Sequence, residues 1–329
     1  MVIIAIHSMP VKEQSILLFG PPRSGTTWLA SVMCRTGAVS VHEPDNGKNN
    51  FSGLFFQRTL PRYPLLHDQH PKAENYLNLF RLAVEGKFIS SESRSNALLF
   101  RLAGLKKETV EKSLENRGRY PSLAGQPWFF LINTLPPSVR PAEQRRVVKS
   151  VHGFLNIDFL SARIEFIPLV VIRHPLAVLH SMARLEMPDI NRVWRIRDEY
   201  KPILSGQILE DTAQLTDPWE QAGFQIGMFH SHLSEWGKAH PGHLFMHEEF
   251  VNDPEKSFRR LFEVAGLKWS ASVKEFIDST NRPGSGYELV RDREQVNRAW
   301  EGKFSSEEIL AIARGYHLFD HQPYSILQR

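Results

Sequence analysis

Leu17-Leu18-Phe19-Gly20-Pro21-Pro22-Arg23-Ser24-Gly25-Thr26-Thr27-Trp28-Leu29 decides how this chain folds. An apolar run, Ser15–Gly20, passes into a turn of small residues, and a helical pattern over Thr26–Arg35 follows at once. That order predicts a buried strand, a tight loop and a helix that stops near Gly37. Backbone amides in such a loop converge on one point, and the helix N-terminus adds the positive end of its dipole, so an anion is favoured there. Gly25 lets the backbone approach a ligand closely, and Thr26 and Thr27 each offer a hydroxyl. The segment nearly spells the triphosphate loop G-x-x-x-x-G-K-[ST]: Gly20, Gly25 and Thr27 fall in place, but Thr26 stands where the lysine belongs. The positive charge comes earlier, on Arg23, so the lysine that reaches a β/γ-phosphate is missing. The plainer reading is an ordinary strand–helix turn.

A second strand-to-helix junction lies at Leu169-Val170-Val171-Ile172-Arg173-His174-Pro175, with Ser181 eight residues beyond Arg173. Open α/β sheets place ligands at the carboxyl ends of their strands, where Arg173 falls. The arginine as a bidentate donor and the serine hydroxyl suit a single phosphate. An arginine paired with a surface carboxylate is the alternative.

Outward from these junctions, further apolar runs at Ala38–Val41 and Arg146–Val151 read as strands, with a weaker one at Leu244–His247. Helices are expected over Pro175–Leu185, Trp219–Ala239, Asp253–Ala265 and Ser305–Tyr316; Asp253 and Ser305 supply N-caps. The alternation argues for α/β. Between Pro44 and Pro141, clusters of Gly, Pro, Asn and Ser interrupt helical pieces near Ala73–Val84 and Lys106–Asn116, which predicts an insertion on the strand ends. The 329 residues are 42 % hydrophobic, enough for a core and against a disordered chain. Their longest apolar runs, Val2–Ile6 and Ile167–Ile172, are far short of the ~20 residues a spanning helix needs. No basic leader precedes the first of them, so neither membrane nor secretion is expected. One cysteine, Cys34, excludes an internal disulfide and fits a reducing cytoplasm. A net charge of +4 is not that of a protein built to coat nucleic acid.

Taken together, the two junctions resemble the sulfotransferases that use 3′-phosphoadenosine 5′-phosphosulfate (PAPS). Pro22-Arg23-Ser24-Gly25-Thr26-Thr27-Trp28 looks like their 5′-phosphosulfate loop, and Arg173 with Ser181 like their 3′-phosphate site. Val148-Lys149-Ser150-Val151 and His247-Glu248-Glu249-Phe250-Val251-Asn252-Asp253-Pro254 resemble two further family stretches. The likeness covers about residues 15–43 and 145–310. It implies one domain over residues 1–329: a P-loop-like central parallel sheet flanked by helices, with a helix and loop insertion over the strand ends at about 45–145. It also implies PAPS as co-substrate, no metal ion, and in-line sulfuryl transfer to a hydroxyl, less readily an amine, of a small-molecule or glycan acceptor. Arg291, Trp300 and Lys303 lie where the family closes over the nucleotide. His230 and His232, two apart on a helix, face different ways, and His240, His243 and His247 lack metal-ligand spacing.

The acceptor must lose a proton to a general base. Glu43, in Val41-His42-Glu43-Pro44, follows the second strand, where carbohydrate-type members of the family place an acidic base. The cytosolic branch uses a histidine in a Lys-Thr-His stretch; here Lys149-Ser150-Val151-His152 is one residue longer, which on a strand reverses the facing direction. Glu43 is therefore preferred to His152, with His42 third. Arg23 is expected to stabilise charge on the departing 5′-phosphate, and Lys149 to share that role. Phe51, Phe55, Phe56 and Trp128-Phe129-Phe130 are candidates for an acceptor cleft or for core. A small-molecule kinase and a non-catalytic nucleotide-binding module are the rival readings.

Overall fold

The computed structural model describes residues 14–46, 60, 62–86, 145–185, 200, 204, 206–212, 214–283 and 292–326. Arg291, the stretch near Lys106–Asn116 and the aromatic candidates at 51–56 and 128–130 lie outside them. The apolar runs form five strands: β1 (Ile16–Phe19), β2 (Val39–His42), β3 (Arg146–Ser150), β4 (Ile167–Ile172) and β5 (Leu244–Met246). They make one sheet in the order β2-β3-β1-β4-β5, every pair parallel. β1 is central and buried throughout, as its unbroken Ile-Leu-Leu-Phe composition requires.

Side chains alternate across this sheet and found two cores. Leu17, Phe19, Val148, Val170 and Ile172 face one way, and Ile16, Leu18, Val147, Leu169 and Val171 the other. The second face is covered by α1 (Thr26–Met33), where Leu29 and Val32 point inward. The first is covered by α2 (Ala73–Val84), with Phe80 set 6.4 Å from Phe19, and by α3 (Ile157–Ser161). Part of the expected insertion is thus core. α4 (Pro175–Arg184) follows β4; α5 (Gly206–Thr212) and the long α6 (Pro218–Ala239) lead to β5. α7 (His247–Asn252), α8 (Pro254–Val264) and α9 (Ala271–Ser279) return to the α1 side; α10 (Arg293–Val296) and α11 (Ser306–Tyr316) close the chain. No helix among the described residues is long and apolar enough to cross a membrane.

The caps agree with the sequence. Asp253 Oδ1 accepts from Lys256 N at 3.2 Å, and Ser305 with Glu308 forms a reciprocal capping box. Two boundaries differ for physical reasons. β4 begins at Ile167 despite Pro168, because the amide that Pro168 lacks would face β5, where pairing starts only at Val170. The α-helix after the loop ends at Met33, and one 3₁₀ turn, Cys34–Thr36, carries the chain to Gly37 at φ 92°.

From β1 the chain crosses to β2 on one side; from β4 it crosses to β5 on the other. The strand order reverses between β1 and β4, and at such a switch point the carboxyl ends open a crevice. Both predicted anion sites lie on its two lips.

Candidate active site

The loop after β1 owes its path to two glycines. A Cβ at Gly20 would lie 2.3 Å from the Val171 carbonyl oxygen, so only glycine lets the end of β1 pass β4. Gly25 has φ 90°, and a Cβ there would meet the His247 ring at 2.3 Å. Ser24 N donates to Pro21 O at 3.2 Å and Trp28 N to Gly25 O at 3.0 Å, which closes the turn and starts α1. Arg23 also takes a left-handed φ of 71°, a conformation that costs a side-chain-bearing residue about 1–2 kcal/mol. Thr26 is buried and Thr27 exposed. The Ser24 hydroxyl oxygen is buried and has no hydrogen-bond partner among the described residues. Beside it lie the leading amides of α1, ahead of the first helical bonds from Trp28 N and Leu29 N to Gly25 O, so the loop fits an anionic phosphosulfate. Trp28 turns away into the core: its ring meets Phe258 edge-on at 5.1 Å, and Nε1 donates to Thr280 Oγ1 at 3.1 Å.

Across the crevice, Arg173 donates to the Arg23 carbonyl at 3.3 Å and to the Val296 carbonyl, next to Asn297, at 2.9 Å. Ser181 was expected to share a phosphate with Arg173; its Oγ accepts from Arg23 Nε at 2.8 Å. The two predicted sites therefore touch. Trp300 reaches this corner through His174, on which it stacks at 4.8 Å and 6°. Glu248 holds the corner, accepting from His174 N at 2.9 Å and Tyr324 OH at 2.7 Å. His247 is buried against Gly25; burial first, then the Arg173 charge, keeps its imidazole far below its ordinary pKa and neutral. Spacing alone gave no sign of that packing.

The acceptor-side candidates gather at the carboxyl ends of β2 and β3. β3 separates β2 from β1, so Glu43 and the loop face each other across about 10 Å of sheet. His42 pairs with Lys149 in the ladder, and Glu43 N donates to Lys149 O at 2.7 Å. Glu43 sits at φ 44°, its Oε1 paired with Lys149 Nζ and its Oε2 accepting from Asn46 Nδ2 at 2.5 Å. His42 Nε2 lies 3.3 Å from Lys149 Nζ. Burial pushes the Glu43 carboxyl up, but Lys149, then His152 and His42, outweigh it and hold it down to about 2.

His152 corrects one expectation. β3 stops at Ser150 and the chain bends into a 3₁₀ turn, Gly153–Asn156, so strand alternation does not govern its direction. The ring is turned inward beside Tyr63, 5.9 Å away, and its charged form would feel Glu43 and Arg62. Burial lowers it to about 4 against the pull of Glu43, and its Nδ1 is buried without a partner among the described residues. Both base candidates thus belong to one cluster around Lys149. Sequence reasoning missed its second acid, Asp45, which is pushed up to about 6 by burial against hydrogen bonds from Ser150 and Tyr76. Two residues after Glu43 and flanked by Pro44 and Asn46, it reads in sequence as a turn residue.

The sulfotransferase family model matches residues 15–271. Among solved structures, the sulfotransferase domain from the Synechococcus PCC 7002 olefin synthase is 16 % identical, covering 91 % of this chain and 92 % of its own, at a TM-score of 0.41. The sulfotransferase domain from the curacin biosynthetic pathway is 12 % identical, covering 89 % and 98 %, at 0.40. Sulfotransferase STF9 from Mycobacterium avium is 14 % identical, covering 90 % and 78 %, at 0.37. No curated protein matches the chain. With its loop, its switch-point crevice and a family match over most of its length, the chain belongs to the sulfotransferase family.

Proposed function

We propose that this protein transfers a sulfuryl group from PAPS to a hydroxyl of a small-molecule or glycan acceptor, working in the cytoplasm. The observation that carries the reading is the meeting of two anion sites at the switch point: Arg23 bonded to Ser181 at 2.8 Å, and Arg173 bonded to the Arg23 carbonyl at 3.3 Å. A nucleotide with phosphates at both ends of its ribose suits such a double site. PAPS, when bound, supplies the activated sulfuryl group. The loop amides, Ser24, Thr26 and Thr27 hold the 5′ end, with Pro22 shaping the turn. Arg173 holds the 3′-phosphate, together with Ser181 once Arg23 releases it. Trp300 and Arg291 belong to the nucleotide side, and Trp28 supports the loop from behind.

Glu43 takes the acceptor's proton as the acceptor oxygen bonds to sulfur and the S–O bond to the 5′-phosphate breaks. Arg23 stabilises the negative charge left on that phosphate. Glu43 at about 2 is a poor base while Lys149 and Asn46 occupy its oxygens. When Lys149 turns to an anionic donor, the burial penalty acts unopposed by that charge and raises the basicity of Glu43. His152 is the second reading, favoured by its neutral ring and unpartnered Nδ1.

Calorimetric titration tests the assignment. Adenosine 3′,5′-bisphosphate should bind much more tightly than AMP or ATP. Equal affinity for the bisphosphate and AMP would remove the double site, and preference for ATP would favour the kinase.

A further inference from the structure

Beneath the Glu43–Lys149 pair lies a second, fully enclosed polar group that the transfer reaction does not use. Asp45 Oδ2 accepts from Tyr76 OH at 2.9 Å and from Ser150 Oγ at 2.8 Å; Oδ1 is 3.0 Å from the same hydroxyl. Ser150 Oγ in turn accepts the backbone amides of His152, at 3.2 Å, and Gly153, at 2.9 Å. Tyr76 is also hydrogen-bonded to Asn156. The Asn156 amide ties down the next segment, donating to Pro64 O and accepting from Leu66 N, each at 2.7 Å. Three pieces of chain far apart in sequence are joined here: the turn that carries Glu43, the end of β3 that carries Lys149 and His152, and the segment after Arg62 and Tyr63. A buried carboxylate satisfied by two hydroxyl donors makes a rigid junction, since any displacement leaves a polar group unpaired in the core.

The Glu43 turn needs such a junction. Asn46 N closes it on Glu43 O at 3.0 Å, yet Glu43 holds a left-handed φ that its side chain disfavours. We infer that Asp45 is a positioning residue: through Ser150 and Tyr76 it holds the strained turn so that Glu43 faces Lys149 in register for acceptor deprotonation. The role in deprotonation rests on the sulfuryl-transfer reading; the junction itself does not.

The test follows the Glu43 carboxyl by ¹³C NMR during a pH titration of the full chain. Its charged surroundings are Lys149, His152 and His42, with Asp45 on its own turn; Asp45 itself faces Glu43, Tyr76 and Ser150. In the native protein Glu43 should stay ionised down to about pH 2. Asp45→Ala removes a neighbouring negative charge, which by electrostatics alone lowers Glu43 further. If Asp45 positions the turn, the opposite follows: Glu43 leaves Lys149 and titrates upward, at least ten-fold easier to protonate. Asp45→Asn keeps an acceptor for both hydroxyls and should preserve the native titration. Tyr76→Phe and Ser150→Ala, each removing one of the two hydroxyl donors to Asp45, should give smaller upward shifts and stand in if Asp45→Ala does not fold. A downward or unchanged Glu43 in Asp45→Ala, or in both of those stand-ins, overturns the inference. Binding of adenosine 3′,5′-bisphosphate by the native protein, measured on the same samples, separates this outcome from failure of the nucleotide reading.

Discussion

The two sides of the crevice differ in how their charges are satisfied. On the nucleotide side, Arg23 and Arg173 bond a serine hydroxyl and main-chain carbonyls, and a buried Ser24 oxygen beside them has no partner among the described residues. On the acceptor side the carboxylates already have internal partners, with Glu43 on Lys149 and Asp45 between two hydroxyls. A site of the first kind gains from an arriving anion at once. A site of the second kind must break an internal pair before it can act, so its chemistry is gated by what binds next to it.

The largest effect that would break this contrast lies on the paired side. Glu43→Gln retains shape and can still accept from Lys149 and, after a flip, satisfy Asn46, but it cannot take a proton. kcat should fall by about 10²–10⁴-fold while bisphosphate affinity stays nearly constant. His152→Ala should be milder. Normal turnover in the glutamine variant with a dead histidine variant would transfer the base to His152; near-normal rates in both would place it elsewhere.

Next comes the response to acid, where both sides contribute. His152 and His174 are lowered to about 4 and His230 to about 3, burial being the main cause of each. Their folded values lie below the unfolded 6.5, so the unfolded chain binds more protons and stability is lost as pH falls from 6.5 towards 4. Asp45, raised to about 6, runs the other way between pH 6 and 4, but it is one group against three. The Glu43 contribution disappears only below its unfolded value, between about 4.5 and 2. Thermal denaturation should therefore show loss of stability starting near pH 6.5, on the order of several kcal/mol by pH 5. A midpoint unchanged between pH 7.5 and 5 would show that these imidazoles are not neutral and buried.

The same contrast explains what the sequence made legible. The side proposed for the nucleotide is built from contiguous stretches, Gly20–Thr27 and Arg173–Ser181, whose turn and helix geometry is local and so can be read from spacing. Four strands and most helix caps were equally local. The acceptor side depends on contacts between residues about a hundred positions apart, such as Glu43 with Lys149 and Asp45 with Ser150, which no periodicity encodes. His152 was misdirected because the alternation rule was carried one bend too far. Helices α3, α5, α7 and α10 went unread because none exceeds two turns, whereas α9 was missed although Val273, Phe276 and Ile277 recur at helical spacing.

A smaller effect belongs to the open side. Arg173→Ala removes the donor expected to meet the 3′-phosphate, a charge-assisted hydrogen bond of about 1.5–3 kcal/mol. The preference for adenosine 3′,5′-bisphosphate over AMP should shrink by roughly 10–100-fold, with AMP binding little altered. Equal loss for both nucleotides would mean that Arg173 serves the crevice as a strut, through its bonds to the Arg23 and Val296 carbonyls.

The smallest expected effect is none at all, and it separates the two reaction classes. A terminal phosphoryl group arrives with more negative charge than a sulfuryl group, and kinases of this loop type offset it with a lysine and Mg²⁺. Here Thr26 replaces the lysine, while Arg23 rests on Ser181 at the lip of the crevice and is the group proposed to meet the departing phosphate. With the loop amides it can match the charge of a sulfuryl transfer. Turnover with PAPS should then continue unchanged in EDTA, measured as release of adenosine 3′,5′-bisphosphate. Activity that vanishes on chelation and returns with Mg²⁺ would assign the missing charge to a metal and move the open side of the crevice to phosphoryl chemistry.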